Sequence, residues 1–338
     1  MRQIWITKAG KPAVLQIKEA AHPIPGSGEV RINVETVGIN FADILGRMGI
    51  YPDAPGIPYV PGYEIAGTVA LVGQGVSGIK EGDKVFALTR FGGYSDVVCV
   101  PYKQVFQRLD WMSAQDGAAL PINYLTAYIM LIVMGSLHPG DRVLIHNVGG
   151  GVGLAALDIC KIIGAESYGT ASPEKFEFLQ SYGLNHAIDY RHYDYEKVIG
   201  DLTQGKGIQI ILDPLGGKHW KKNFRLLTPT GRLIYFGFSS HVSGTKRSRL
   251  RALREIIMTP FYNPLTLMNA NKGVSGVNIN HLWEQGDLIT EWMAEIVNWY
   301  DEVLFRPTID RAYPFNKVAD AHQYIQDRKN IGKVLLTP

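Results

Sequence analysis

Between an apolar run, Arg142–Val148, and a stretch with helical spacing, Leu154–Ile163, stand Gly149, Gly150, Gly151, Val152 and Gly153. Residues of this type in this place can hold a phosphate. Without Cβ atoms the backbone comes close to an anion, and the following helix start offers free N–H groups and the positive end of its dipole. A strand before and a helix after the glycines make the turn a pyrophosphate site of a dinucleotide-binding fold rather than a simple reversal. An acid about 20 residues further on would accept from the 2′-OH of an NAD ribose. Here that stretch reads Gly169, Thr170, Ala171, Ser172, Pro173, Glu174, Lys175, with no carboxylate at the strand end. Ser172 can donate a hydrogen bond and Lys175 brings charge, a pair suited to a 2′-phosphate, so the pattern favours NADPH over NADH. Glu174 is the residue that would reverse this preference if it stood at the ribose.

The elements that must position these residues alternate. After Pro121 the pattern is strand and helix in turn, the signature of a parallel sheet with crossover helices. Strands are expected at Arg142–Val148, Ser167–Thr170, Ile208–Leu212 and Arg232–Phe236, with an edge strand at Gly273–Ile279 and a helix from Ser172–Pro173. Before Asn123 the chain reads as β-rich: short alternating segments such as Val30–Val37 and Ile65–Val72 are cut by His22–Gly28 and Tyr51–Gly62, which are rich in proline and glycine. The last part is expected to form a helix (Ile289–Tyr300), a strand near Pro307–Ile309, a helix (Ala319–Asp327) and a closing strand (Lys333–Leu336). We expect an α/β protein with residues 124–280 as the nucleotide-binding domain, inserted between residues 1–123 and 281–338 of a second domain.

Composition narrows the function. A chain of 338 residues accommodates two domains. A net charge of +3 gives no reason to expect nucleic acid as a partner. The opening MRQIWITKAG has no apolar signal core, and the longest apolar run, Ala127–Met134, falls well short of the roughly 20 residues that span a bilayer; a cytoplasmic location is the expectation. Cys99 and Cys160 show neither metal nor redox spacing and are expected to be small buried residues. Lys246–Arg254 is the densest cationic cluster and reads as a solvated face; a membrane-surface contact is the rival, since Ile256, Ile257, Met258 and Phe261 follow.

The chain resembles the medium-chain dehydrogenase/reductase superfamily. Gly62-Tyr63-Glu64 followed by Gly67, Gly73 and Val76 has the spacing of that superfamily's zinc alcohol dehydrogenase signature, but Tyr63 replaces its His and Asn40 stands where a Cys ligand is expected. With both ligands replaced and no four-cysteine lobe, no zinc is expected. Gly38-Ile39-Asn40-Phe41-Ala42-Asp43, Arg47-x-Gly49-x-Tyr51, Leu125-Thr126-Ala127-Tyr128 and Ile188-Asp189-Tyr190 resemble the zinc-free quinone oxidoreductase branch. Gly169-Thr170-Ala171-Ser172 with Lys175, Asp213-Pro214-Leu215-Gly216-Gly217 and the ending Lys329-Asn330-Ile331-Gly332-Lys333-Val334-Leu335-Leu336 resemble its vesicle amine transport protein-like group.

The resemblance implies a Rossmann domain inserted in a split, β-rich GroES-like domain, an active site in the cleft between them and a homodimer joined at a Rossmann sheet edge, for which Gly273–Ile279 is the candidate. It implies that Gly150, Gly151, Val152 and Gly153 hold the pyrophosphate. Ser172, Lys175 and Tyr190 would surround the 2′-phosphate; Thr126, Gly237 and Phe238 would line the nicotinamide pocket; Asn330 would reach the cofactor from the other domain. Tyr51 would face the substrate and Asn40 the nicotinamide ribose or substrate. Related reductases often carry a second tyrosine where this chain has Leu45, which leaves the substrate open. The implied reaction is hydride transfer from NADPH to a quinone or α,β-unsaturated carbonyl. Tyr51, Asn40, cofactor hydroxyls or water would stabilise the developing negative charge. A second hypothesis is an NADPH-binding regulatory or membrane-associated protein with little turnover. For the other polar residues, Asp43 is expected to hold its loop or pair with Arg47, and His146 to be structural.

Overall fold

The computed structural model describes residues 1–237 and 260–338, so Phe238 and the Lys246–Arg254 cluster lie outside the described residues. The chain divides into two compact units, Met1–Leu125 with Ile279–Pro338, and Thr126–Asn278.

In chain order the first unit begins with strands β1 (Arg2–Ile6), β2 (Leu15–Glu19) and β3 (Glu29–Gly38), helix α1 (Phe41–Arg47), and strands β4 (Glu64–Val72), β5 (Lys84–Leu88), β6 (Val97–Pro101) and β7 (Val105–Gln107). Helices α2 (Ala114–Ala119) and α3 (Pro121–Tyr128) follow. The β-rich reading of this part missed α1 and α2, which start on local caps. The Ser113 hydroxyl accepts the Asp116 N–H at 3.0 Å, and the Asp43 carboxylate accepts the Asn40 N–H at 2.8 Å.

The second unit contains β8 (Arg142–His146), α4 (Gly151–Ile163), β9 (Glu166–Ala171), α5 (Phe176–Ser181), β10 (His186–Asp189), α6 (Tyr195–Leu202), β11 (Ile208–Asp213), α7 (Lys218–Leu226), β12 (Leu227–Tyr235), α8 (Pro264–Ala270) and β13 (Gly273–Gly276). Its six-stranded sheet has the order β10-β9-β8-β11-β12-β13, and every pairing is parallel. The chain enters at β8, winds outward one way through β9 and β10, and returns to the other side of β8 through β11. This is the doubly wound order, with its switch point at the carboxyl end of β8. The expected apolar run after α3 forms a π-helical segment, Ile129–Met134.

The chain then returns to the first unit with α9 (Gly286–Asp301), β14 (Ile309–Pro314), α10 (Val318–Gln326) and β15 (Lys333–Thr337). The larger sheet of this unit has the order β14-β15-β3-β4-β5-β7, with β6 also on β3. β3 is long enough to pair β6 over Glu29–Asn33 and β15 at Val37–Gly38. Its core gathers Ile32, Val37, Ile65, Val85, Phe315, Val334 and their neighbours, while Leu144, Ile188, Ile211 and Leu233 centre the core of the other unit.

Several expectations shift. The strand expected near Pro307–Ile309 is Ile309–Pro314, because Lys333 and Ile309 open the register with β15. The edge strand stops at Gly276, and Ile279–His281 forms a 3-10 turn instead. The helix expected from Ser172–Pro173 begins as a 3-10 turn, Pro173–Lys175, before α5. Cys160 is buried as expected, whereas Cys99, on the β6 strand, is half-buried.

Candidate functional site

In the second unit, α4 starts at the glycines with Gly150 as its N-cap and no side chain capping it. Its first N–H groups are therefore available to an anion. The glycines are needed sterically: a Cβ on Gly153 would lie 2.5 Å from the Val148 carbonyl oxygen and 2.6 Å from the Val148 Cα. The Lys175 side chain lies against this turn, its Cδ 3.0 Å from where a Gly149 Cβ would be. Lys175 is thus drawn to the glycine turn although it stands 26 residues further along the chain than Gly149 (175 − 149).

β9 and β10 run side by side with Ala171 opposite Asp189. Ser172 and Tyr190 are the next residue on each, so the two expected 2′-phosphate residues emerge together at the carboxyl edge of the sheet. Ser172 is buried and Tyr190 half-buried. Between them lies an ion pair that sequence reading did not single out. Arg191 Nη1 meets Glu174 Oε1 at 2.6 Å. The Ser172 hydroxyl, then the Glu174 backbone N–H and Arg191, hold the Glu174 carboxyl below its ordinary range. The phenol of Tyr190, followed by Glu174, raises Arg191. Glu174 therefore serves its neighbours as an acceptor. The signal for Arg191 was its place beside Tyr190 at a strand end.

Beneath this edge a buried network ties the strand ends together. His146 Nδ1 is 3.1 Å from Thr170 Oγ1 and His146 Nε2 is 3.1 Å from Asn223 Oδ1. Asn223 Nδ2 donates to Asp213 at 2.6 Å, and Thr170 Oγ1 also accepts the Asn147 N–H at 3.3 Å. The Asn223 oxygen can only accept, so His146 carries its proton on Nε2 and receives the Thr170 hydroxyl on Nδ1. Burial lowers the His146 pKa, which keeps the ring neutral. His146 is structural, as expected. Thr126 is buried, and Gly237 lies beside Pro214, 3.4 Å separating its would-be Cβ from the Pro214 oxygen.

The first unit carries a separate polar centre. Antiparallel pairing of Val37 with both Ile65 and Leu336 sets the start of β4 and the start of β15 on either side of the end of β3. Asn40, Glu64 and Lys333 meet there. Asn40 Nδ2 donates to Glu64 Oε1 at 2.7 Å, Lys333 Nζ donates to Asn40 Oδ1 at 2.8 Å, and Lys333 also donates to Glu64. The other Glu64 oxygen accepts the Ile122 N–H at 2.7 Å. All three side chains are buried. A Cβ on Gly38 would stand 2.5 Å from Glu64 Oε1, so this glycine makes room for the carboxylate. Sequence reading quoted Glu64 and Lys333 as motif letters and gave them no role; the available signal was a lysine opening an apolar strand, a placement that demands a partner.

Asp43 accepts the Asn40 N–H at 2.8 Å and the Gly62 N–H at 3.0 Å. It holds its loop, as expected, and does not pair with Arg47, whose Nη2 donates to Gln326 at 2.5 Å. Burial pushes the Asp43 carboxyl up to about 7 against the pull of the two N–H groups and of Lys333. Above it Tyr63 and Tyr51 pack edge to face at 6.4 Å, and Phe91 lies 5.2 Å from Tyr63. Tyr51 is half-buried; burial, with Asp53 adding, pushes its hydroxyl up to about 12, so it remains a donor at neutral pH. Tyr63 is buried and its pKa is raised further. Asn330 Nδ2 donates to the Gly332 carbonyl at 2.9 Å.

Residues 26–110 match the alcohol dehydrogenase GroES-like domain, and residues 182–336 match the zinc-binding dehydrogenase family. The synaptic vesicle membrane protein VAT-1 homolog of Rattus norvegicus is 40% identical over 325 residues, covering 96% of this chain and 80% of its own length. The chain belongs to the medium-chain dehydrogenase/reductase superfamily. Among solved structures, Escherichia coli quinone oxidoreductase in complex with NADPH superposes with a TM-score of 0.88 at 27% identity, over 100% of both chains. The CurK enoyl reductase superposes with a TM-score of 0.86 at 28% identity, over 99% of this chain and 98% of its own. A GroES-like N-terminal domain and a Rossmann-like parallel sheet, as described above, are the superfamily's fold.

Proposed function

We propose that the chain is a zinc-independent reductase that transfers hydride from NADPH to a quinone or an α,β-unsaturated carbonyl. The observation that carries this reading is Lys175 lying against the uncapped glycine turn, supported by Ser172 and Tyr190 following paired residues at the carboxyl ends of β9 and β10. A cofactor with a phosphate on its ribose suits that set of donors. The relatives named quinone oxidoreductase and enoyl reductase support the same class of reaction.

NADPH, when bound, supplies the hydride. The residues of the chain bind and orient. Gly150, Gly151, Val152 and Gly153 would hold the pyrophosphate, and Ser172, Lys175 and Tyr190 the 2′-phosphate. Thr126, Gly237 and Asn330 are assigned to the nicotinamide side. Tyr51 offers a hydroxyl that keeps its proton at neutral pH, a suitable donor to a substrate oxygen gaining negative charge. The Asn40 amide spends its oxygen on Lys333 and one N–H on Glu64, which leaves one N–H to give. Solvent completes the reaction with a proton. Zinc does not suit these residues: Tyr63 and Asn40 stand at the ligand positions, and a lysine ammonium already bonds the Asn40 oxygen. Among the described residues no three His, Cys, Asp or Glu side chains are grouped to hold a metal ion. Stoichiometric zinc in metal analysis would overturn this part.

The test is a fluorescence titration of the purified protein with NADPH and NADH, repeated on Lys175→Ala. Tight NADPH binding that the variant loses selectively, by about tenfold or more for one charged contact, is the expected result; a quinone and enone screen for loss of NADPH absorbance then addresses turnover. Binding to neither dinucleotide ends the reading. A second reading, an NADPH-binding regulatory or membrane-associated protein with little turnover, is favoured by relatives named as vesicle membrane proteins and by exposed Phe261, Leu265 and Met268. No helix among the described residues is long and apolar enough to cross a membrane. Flotation with liposomes, without turnover on any quinone or enone, would favour that reading. We also propose a homodimer through β13, the edge strand of the parallel sheet, which lies next in the chain to α8 and these apolar side chains.

A further inference from the structure

At the paired ends of β9 and β10 one carboxylate bridges the two strand ends. Glu174 accepts from Arg191 Nη1 at 2.6 Å, and so joins the turn after β9 to the turn after β10. The turn that presents Arg191 is fixed: Asp189 Oδ1 accepts the Arg191 N–H at 2.8 Å and the His192 N–H at 3.3 Å, and Asp189 Oδ2 meets His192 Nδ1 at 2.5 Å. The Arg191 backbone is therefore anchored beside Tyr190, while its guanidinium, 47% exposed, faces a Glu174 that is 66% exposed. An arginine held beside Tyr190 and already paired with a carboxylate marks a position where an anion is wanted.

We propose that Glu174 is a built-in stand-in for the cofactor's 2′-phosphate, and that Arg191 is a further specificity-determining residue that passes from Glu174 to that phosphate when NADPH binds. The inference rests on the NADPH reading above and deepens it. A phosphate monoester carries about −1.5 to −2 charge near neutral pH and three acceptor oxygens, more than a carboxylate offers. The planar guanidinium can grip two of those oxygens at once. An ion pair this exposed to water is weak, so the exchange of partners costs little. The displaced Glu174 would then lie beside a like charge, so it works against NADPH. With NADH there is no phosphate to displace it; Glu174 keeps Arg191 and can also accept from the ribose 2′-OH. The pair sets the NADPH-to-NADH ratio from both sides: Arg191 raises it and Glu174 lowers it.

The experiment compares wild type, Arg191→Ala, Glu174→Gln and Lys175→Ala. Cofactor affinities for NADPH and NADH are measured by fluorescence titration. Adenosine 2′,5′-bisphosphate and 5′-AMP, measured by calorimetry, isolate the phosphate subsite from the nicotinamide. Arg191→Ala is expected to weaken NADPH and the bisphosphate by about tenfold, with NADH and 5′-AMP within about twofold. Glu174→Gln is expected to tighten NADPH several-fold, on the order of one lost like-charge repulsion. Both side chains are exposed, so neither variant threatens the fold. If Lys175→Ala selectively loses NADPH while Arg191→Ala binds as wild type does, the phosphate subsite stands and this inference is overturned. Weaker NADPH binding by Glu174→Gln also overturns it, since Glu174 would then support the site. If wild type binds neither dinucleotide, the NADPH reading fails and this inference with it.

Discussion

Asp43 shows how a single carboxyl can be pulled two ways. Two backbone N–H groups favour its ionised form, but complete burial outweighs them and its pKa stands at about 7, above the ordinary 3.8. Between those two values the folded chain keeps a proton that the unfolded chain releases. Stability therefore falls as pH rises through that window. Asn at this position has no charge to bury. The melting-temperature difference, Asp43→Asn minus wild type, is expected to grow more positive from pH 5 to pH 8, whatever its offset from the one N–H contact the amide gives up. Parallel melting curves across that range would show that Asp43 titrates normally. The residue itself was legible in the sequence as a loop-holding acid, but its two N–H partners were not. Gly62 stands 19 positions away, and only the β4 start brings it near.

At the scale of elements, what the sequence displayed was local. The glycine turn between β8 and α4 could be read because strand, turn and helix are consecutive, and their hydrophobic period changes at the turn. Ser172 and Lys175 followed from their distance to that turn. Arg191 was passed over because its role depends on which strands are neighbours: β10 lies next to β9, and periodicity does not state pairings. The buried His146–Thr170–Asn223 network was hidden for the same reason, since it links β8, β9 and α7 across 24 and 77 residues. It also makes a prediction about those elements. Thr170→Val keeps the shape and removes the hydroxyl from His146 Nδ1, which should cost about 1–3 kcal/mol in denaturant unfolding, while Thr170→Ser stays close to wild type. A Val variant as stable as wild type would mean that the hydroxyl does not secure the strand ends.

For the whole molecule, the open edge of the parallel sheet is the feature most in need of a partner. Among the described residues β13 has β12 on one side only, and Phe261, Leu265 and Met268 are all mostly exposed. Edges of this kind are normally paired or covered. Light scattering after size exclusion is expected to give twice the 37.5 kDa chain mass, and Leu265→Glu with Met268→Glu to halve it. A monomeric wild type at micromolar concentration would refute the edge-to-edge dimer. The parallel sheet with crossover helices was readable from alternating patterns, whereas the centre built from Asn40, Glu64 and Lys333 was not, because its members come from opposite ends of the chain. That separation has a consequence for the order of folding. The Lys333–Glu64 bond spans 269 residues, and the whole nucleotide-binding unit is synthesised between its partners. A growing chain can complete residues 126–278 on the ribosome while Glu64 still lacks its counter-ion. The unit begun first is thus the one finished last, reversing the usual N-terminal-first sequence, and its larger sheet remains open at the Val37–Gly38 end of β3 until β15 arrives.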